Sequence, residues 1–396
     1  MKSVLSGIRI VDLSRVLAGP YGTLLLGDLG AEIIKIEDPK EGDPTRNISP
    51  QKVEGEDPYF LGLNRNKKSI TLNLNSLQGR EILYRLVKIS DVVYDNYRPD
   101  VLGKLGVDYE TLKKINPKII SCSISGFGHT GERQDRPAFD LTLQAMGGAM
   151  SVTGEPGRAP VRLGLPMGDL AGGMFAAYAV SAALFHREKT GEGLKIDLSL
   201  LDCQVSLLTY MAQYYFFNGI IPGPIGSGHQ SIVPYQAFQT RDIWIVVAVF
   251  TEKFWPKFCK VLGLESLAAD PRFDRNQKRL QNKAILIPLL EKAALNWKGE
   301  DLLKRLEEED VPAAPVNTLD RILSDPQVLS RNMVVAMDHP RVGKFKSVGN
   351  PIKISCSQEE EFQPPPVMGQ HNECIFSGLL GYSPADLKKW KEEGII

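Results

Sequence analysis

The segment PMGDLAGGMFAAYAV, which begins at Pro166, sets one carboxylate, Asp169, between a glycine and a run of small apolar residues. Two kinds of chemistry suit an acid there. As a helix cap, its oxygen would accept an orphan backbone N–H at the start of the buried helix that the sequence predicts from Leu170 onward. As a nucleophile, it would attack an electrophilic carbonyl without a base, because a carboxylate with a reference pKa near ~3.9 is already ionised at neutral pH. Other candidates carry less. His129, His186, His229, His339 and His371 include no pair at metal-ligand spacing, although His229, in the loop GSGHQS, could touch a substrate. The basic residues Lys35, Arg46, Arg98, Lys104 and Arg136 are unremarkable singly. Several follow apparent strands, where doubly wound sheets bind ligands, and together they could neutralise a small phosphorylated ligand. GFGHTG at Gly126–Gly131 has dinucleotide-fingerprint spacing, but that fingerprint needs a helix starting within the glycines. Polar ERQDRPA follows instead, so a turn is expected. P-loop, zincin and hydrolase-elbow motifs do not stand out.

The elements that would position these residues alternate. Gly7–Leu13, Glu32–Glu37, Lys68–Leu74, Asp91–Tyr97, Lys118–Ser125 and Leu194–Ser199 are compact β-branched runs bounded by turn residues or helical stretches. Helices are expected at Tyr21–Leu29, Leu141–Met150, Leu170–His186 and, as one apolar helix, Leu200–Phe217. This rhythm predicts an α/β fold with a mostly parallel sheet. A Gly- and Pro-rich stretch at Gly219–Gly228 marks a boundary or mobile loop. A smaller α+β unit follows, with a strand at Trp244–Val249 and helices at Lys253–Val261, Lys278–Asn296 and Asp301–Glu309. The division read from sequence is a large domain over 1–200, a linker helix and loop over 201–223, a small domain over 224–325, and a return segment over 326–396 completing the large domain.

At 396 residues the chain is long enough for more than one core. Lys+Arg and Asp+Glu both number 47, a balance that argues against a general nucleic-acid binder. Cys122, Cys203, Cys259, Cys356 and Cys374 are scattered without a CxxC pair, which suggests neither a zinc site nor a disulfide framework and fits a reducing compartment. The opening MKSVLSGIRIVDLS runs into a strand without a signal-peptide apolar region, and the apolar stretch Val205–Phe217 is short for a membrane span. The expectation is a cytoplasmic protein, or a mature mitochondrial matrix protein, with no nucleic-acid or membrane partner.

Taken in order, GIRIVDLSRVLAGP, LGDLGAEIIKIE, Gly42–Asp43, NRNKKSITLNL, DNYRPDVLGKLG, INPKIISCSISGFGHTG, RPAFDLTLQAMGG, GDLAGG and HREKTGEGLKIDLSLLD resemble the family III CoA-transferases. That family includes formyl-CoA, carnitine, bile-acid and dicarboxylate CoA-transferases and the related α-methylacyl-CoA racemases, and the resemblance covers nearly the whole chain. It implies a Rossmann-like large domain, a smaller domain, and an interlaced homodimer. It implies coenzyme A or acyl-CoA as substrate, with no metal and no nucleotide redox cofactor. The family's nucleophile falls on Asp169. Its CoA-contacting positions fall on Leu17, Ala18, Leu72, Asn73, Asn75, Asn96, Tyr97, Arg98, Lys104, Arg136, Pro137, Ala138 and Phe139. Asp38 stands where the family is often basic, and Leu17 stands where formyl-CoA transferases have Gln, which weighs against a formyl or oxalate substrate.

The implied reaction exchanges CoA between an acyl-CoA and a free carboxylate, through an acyl–aspartyl anhydride and an aspartyl–CoA thioester. The anhydride requires water exclusion, for which Gly226–Ser227–Gly228 is the expected lid. Backbone N–H groups near Gly168 and in the lid are the expected oxyanion donors. GHQSIVPYQAF with GDLAGG looks most like the branch acting on dicarboxylates, with His229, Gln230 and Ser231 able to hydrogen-bond a distal carboxylate. Two alternatives stand beside this reading. A racemase needs a proton carrier where this chain has Phe139, and a non-catalytic CoA-binding protein would have no use for Asp169.

Overall fold

In the computed structural model, residues 3–355 and 362–396 are described; Cys356 lies outside them. In chain order the elements are β1 (Arg9–Asp12), α1 (Ala18–Asp28), β2 (Glu32–Glu37), α2 (Pro58–Leu63), β3 (Lys67–Thr71), α3 (Leu77–Lys88), β4 (Val92–Asp95), α4 (Pro99–Leu105), α5 (Tyr109–Ile115), β5 (Ile120–Ser125), α6 (Asp140–Met146), α7 (Met167–Thr190), β6 (Lys195–Ser199), α8 (Leu200–Leu207) and α9 (Thr209–Asn218). Then come β7 (Tyr235–Gln239), β8 (Trp244–Ala248), α10 (Phe254–Leu262), α11 (Glu265–Ala269), α12 (Asn276–Gln281), α13 (Lys283–Ala294), α14 (Gly299–Glu308), β9 (Ala313–Pro315), α15 (Leu319–Ile322), α16 (Pro326–Ser330), β10 (Val334–His339), β11 (Gly343–Val348) and α17 (Pro384–Glu392).

The chain forms two compact units. The first comprises residues 1–149, 162–216 and 326–396; the second comprises 150–161 and 217–325. Residues 150–161, assigned by sequence to the large domain, therefore belong with the second unit. The helical part of the expected linker, up to Phe216, belongs with the first.

The first unit is built on a six-stranded sheet in the order β3-β2-β1-β4-β5-β6, parallel throughout. Consecutive strands are joined by helices, and the order reverses between β1 and β4, where doubly wound sheets open a crevice at the strands' carboxyl ends. Both faces are covered. On one, Val11, Ile34, Ile70 and Val93 pack with Leu83 and Leu86 of α3 and with Phe376 and Trp390 from the C-terminal region. On the other, Ile10, Ile33, Val92 and Ile124 pack with Ala176, Val180 and Ala183 of α7. Edge strand β3 is closed by the returning chain. Asn66 N–H donates to Gln363 O at 3.0 Å, and His371 N–H to Ser69 O at 2.9 Å, so the edge is protected from foreign pairing.

α7 is long and apolar enough to cross a bilayer by composition, but its small residues are buried against α1 and the sheet as in a core helix. A Cβ at Gly173 would sit 2.7 Å from Ala18 O and 3.0 Å from Gly22 N, so α1 reaches α7 only because glycine stands there.

The second unit carries an antiparallel sheet, β7-β8-β9. Its core joins Phe238, Ile245 and Val247 to Trp255, Phe258, Leu286, Leu290, Leu302 and Leu306. Two helices expected to be continuous are broken. Leu200–Phe217 divides at Thr209, whose φ is 44°, and Lys278–Asn296 divides at Asn282 between α12 and α13.

Candidate active site

α7 runs directly into β6 of the parallel sheet, so its first turn lies at the sheet's carboxyl end. The helix starts at Met167, with Pro166 before it making no side-chain cap. Asp169 is therefore inside the first turn and is not the cap. Asp140, the first residue of α6, supplies the cap from outside. Its Oδ1 accepts the Gly168 N–H at 2.9 Å and the Asp169 N–H at 3.3 Å. Its Oδ2 accepts Gln144 Nε2–H at 2.6 Å, and Gln144 Oε1 accepts the Leu163 N–H at 2.9 Å. A Cβ at Gly168 would collide with Gln204 Nε2 and come within 2.9 Å of Asp140 Oδ1. The glycine before the acid is thus what lets the foreign carboxylate reach the helix end.

Because Asp140 caps the helix, the Asp169 carboxylate is left available for chemistry. Burial and then the charge of Asp140 push its pKa up from 3.8 to about 7. The simple expectation of an ordinary, fully ionised aspartate is corrected: at neutral pH the group is poised between forms, and the ionised form is more basic than a free aspartate. The expected oxyanion donors near Gly168 are corrected as well, since Asp140 occupies those N–H groups. Tyr59 of α2 adds a residue that sequence reading missed. Burial, then the charges of Asp169, Asp43 and Asp140, push its hydroxyl above the usual range, which places a phenol in the electrostatic neighbourhood of Asp169.

At the switch between β1 and β4 lies a cleft of about 230 Å³, lined by residues that include Arg15, Glu37, Asp38, Leu72, Asn75, Tyr97 and Leu105. Of the sequence-assigned CoA positions, Leu72, Asn75 and Tyr97 line it. Arg98 and Lys104 are exposed beside it and share Asp100, at 3.4 and 3.2 Å. Asn73 is spent locally, accepting the Asn75 N–H through Oδ1 at 3.0 Å. Leu17 and Ala18 are buried at the start of α1. Arg136 and Pro137 are exposed, Ala138 is half-buried and Phe139 is exposed, on the segment leading into α6; they accompany Asp140 and do not line the cleft. Arg15, which lies over the Tyr97 ring at 5.2 Å, is a cleft cation that the sequence reading did not single out.

Lys35 and Arg46 are not free to meet a phosphate. Lys35 is fully buried and pairs with Asp43 at 2.8 Å. Arg46 is bidentate to Glu37 at 2.7 Å through both contacts and stacks over Phe60 at 3.6 Å. GFGHTG is a turn, as expected: Gly128 and Gly131 have φ of 79° and 89°, and the next helix begins only at Asp140.

The expected lid residues Gly226, Ser227, Gly228, His229 and Gln230 lie in the second unit and are pinned there. Gly226 N–H donates to Gly154 O at 2.8 Å. Ser227 Oγ accepts the Ala237 N–H at 3.0 Å, and Gln230 Nε2–H donates to Gly223 O at 3.1 Å. His229 Nδ1 accepts the Ser231 N–H at 3.1 Å.

The chain is similar to known proteins over nearly its whole length. The profile of CoA-transferase family III matches residues 5–372. A succinyl-CoA:glutarate CoA-transferase of Mus musculus is 41% identical over 397 residues, covering 99% of this chain and 90% of that protein. A succinate–glutarate CoA-transferase of Agrobacterium fabrum is 37% identical, with 96% of each chain covered. The crystal structure of a CAIB/BAIF family protein from Brucella suis superposes with a TM-score of 0.86 at 38% identity, covering 96% of this chain and 100% of that one.

Proposed function

The chain belongs to CoA-transferase family III, and from that premise we propose that it moves CoA from succinyl-CoA to a dicarboxylic acid such as glutarate, with Asp169 as the nucleophile. The observation that carries the assignment is a carboxylate in the first turn of α7 that is relieved of capping by Asp140 and feels the charge of that second carboxylate. A carboxylate oxygen of Asp169 attacks the thioester carbonyl, the C–S bond breaks, and CoA leaves as thiolate, giving the mixed anhydride. The thiolate then attacks the Asp169 acyl carbon and displaces the first acid as its carboxylate, leaving an aspartyl–CoA thioester. The acceptor carboxylate attacks that thioester and expels the thiolate again. Attack of the thiolate on the acceptor's acyl carbon releases the new acyl-CoA and regenerates Asp169. No net proton moves, and a thioester and a carboxylate stand on each side, so the exchange needs no ATP. A nucleophile with a raised pKa serves the first step, because its ionised form is the stronger base.

The dicarboxylate preference draws support from relatives named for succinyl-CoA and glutarate. The Met174, Tyr178 and Phe185 side chains of α7 are exposed, as are Tyr215 and Phe216 of α9. Patches of this kind need a cover, and an interlaced homodimer would supply one. The described cysteines are unpaired, in keeping with a reducing, cytoplasmic setting.

The test incubates purified protein with succinyl-CoA and a panel of carboxylic acids, with Asp169→Ala alongside, and resolves the CoA esters by mass spectrometry. New acyl-CoA in the wild type, at least ~10³-fold reduced in the variant, supports the assignment, and the best acceptor identifies the branch. Absence of exchange, together with deuterium entering the α-carbon of a branched acyl-CoA, would point to a racemase instead. His229→Ala should weaken use of dicarboxylic acceptors relative to monocarboxylic ones; an unchanged ratio removes the role given to that loop.

A further inference from the structure

The turn joining β1 to α1 holds Val16 at φ 68°, a left-handed backbone that a β-branched side chain resists. Side chains from several elements surround it. Asp12, ending β1, accepts the Ser14 N–H at 2.9 Å. Lys35 of β2 donates to Ser14 O at 2.8 Å. Asp43 accepts the Val16 N–H at 3.3 Å through Oδ1 while its Oδ2 pairs with Lys35 at 2.8 Å. Lys67 of β3 donates to Pro20 O at 2.9 Å. Asn96, just past β4, grips Arg15 from both sides. Its Oδ1 accepts the Arg15 N–H at 2.8 Å, and its Nδ2 donates to Arg15 O at 2.7 Å. Both polar ends of the Asn96 side chain are thus engaged by the backbone of one residue.

The turn separates the two halves of the site. Arg15 at its start lines the cleft between β1 and β4. Ala18 at its end packs on α7 at Gly173, one helical turn after Asp169. The conformation of Val16 therefore sets the distance between the cleft wall and the nucleophile's helix.

We propose that Asn96 and Asp43 are positioning residues, which hold Val16 in its left-handed conformation and thereby fix the cleft in register with Asp169. The proposal rests on the transfer reaction assigned to Asp169. It gives Asn96 a role different from a direct CoA contact. The thiolate leaves and returns to the same carbon region during one turnover, so a register error falls on kcat. A misplacement of about 1 Å costs up to ~10²-fold.

The test compares Asn96→Ala, Val16→Gly and the double variant by kcat, by KM for acyl-CoA, and by thermal melting. Asn96 is half-exposed, and its removal leaves the Lys35–Asp43 pair intact, so the variant should fold. Expected is a ~10–100-fold fall in kcat with a smaller change in KM. Adding Val16→Gly should restore ~5–10-fold, because glycine takes φ 68° without steric cost. Asp43→Asn, which keeps an acceptor for Val16, should lose less kcat than Asp43→Ala. A rise in KM with kcat intact would make Asn96 a direct CoA contact and overturn the proposal. So would a loss of kcat that Val16→Gly does not recover, or no loss at all. Asp169→Ala run in parallel separates the two ideas: exchange surviving in that variant sinks the assignment of the nucleophile to Asp169, whereas the glycine rescue reports on the turn in whatever activity the protein shows.

Discussion

Two groups of carboxylates lie toward the carboxyl end of the large sheet, and their surroundings oppose each other. In the first, burial works against Asp12, Glu37 and Asp43, yet each is held below its usual range because a cation answers it. The partners are Lys67 and Lys35 for Asp12, Arg46 for Glu37, and Lys35 for Asp43. In the second, burial works against Asp169 and its neighbour is another acid, so its pKa rises to about 7. The matched group fixes backbone: the Ser14–Pro20 turn and the loop bearing Asp43. The mismatched group leaves one carboxylate with free energy to release on forming the neutral acyl bond of the proposed mechanism. Matched charge serves position in the first group, and unmatched charge suits the reactivity proposed for the second.

The largest expected effect comes from breaking a match. Lys35→Met leaves Asp43 buried without its cation, and removing one partner of a buried pair costs about 3–5 kcal/mol. Equilibrium urea unfolding at pH 7 should show that loss. Lys35→Met combined with Asp43→Asn should recover a large part of it, because the amide still accepts from Thr45 and Val16 without a charge. The pH course has a definite sign. Asp43 has a folded pKa of about 2 against 3.8, so its contribution is present above pH ~4 and fades as pH falls toward 2. If Lys35→Met unfolds like the wild type, the contrast between the two groups fails on its matched side.

The opposite change should stabilise. Asp169 binds its proton more tightly when folded, so its ionisation costs stability as pH rises from ~4 to 7, with the full cost above 7. Asp169→Asn removes that cost. At pH 8 the variant should be more stable by ~1–3 kcal/mol, discounted for partial exposure from what a shift of this size would imply, and at pH 4 the two should melt together. A variant no more stable than wild type at pH 8 would mean that the acid is not strained by its site.

The strands of the large sheet were legible because GIRIVDL, EIIKIE, DVVYDNY and KIISCSIS are β-branched runs between turn residues. Asp169 was legible as a candidate because an acid before LAGG is out of place in an apolar stretch. What stayed hidden was long-range. Lys35 in EIIKIE reads as the solvent face of an alternating strand, but both faces of a central parallel strand are buried. Nothing in RPAFDLTLQAMGG announces that Asp140 caps a helix beginning at Met167, since the acceptor and its donors meet only in the fold. The break at Thr209 was equally invisible: no glycine or proline marks it, and a threonine at positive φ is held by tertiary context.

The smallest effect tests whether the acids near α7 act as a pair. Asp140→Asn removes the second cause of the raised Asp169 pKa and leaves the first, burial. It also keeps an oxygen that can accept the Gly168 N–H. In the proposed reaction the group at Asp169 must be ionised to attack, so kcat/KM for succinyl-CoA should rise with pH through a limb near 7 in the wild type. In Asp140→Asn that limb should move down by roughly 0.5–1 pH unit, because one like charge is gone while the burial remains. Asp140→Ala should move it the same way but lose the helix cap, at ~0.5–2 kcal/mol of stability. The two variants thereby separate charge from capping. A limb that moves in neither would show that burial alone holds Asp169 up, and Asp140 would then be a structural cap with no electrical part in the site.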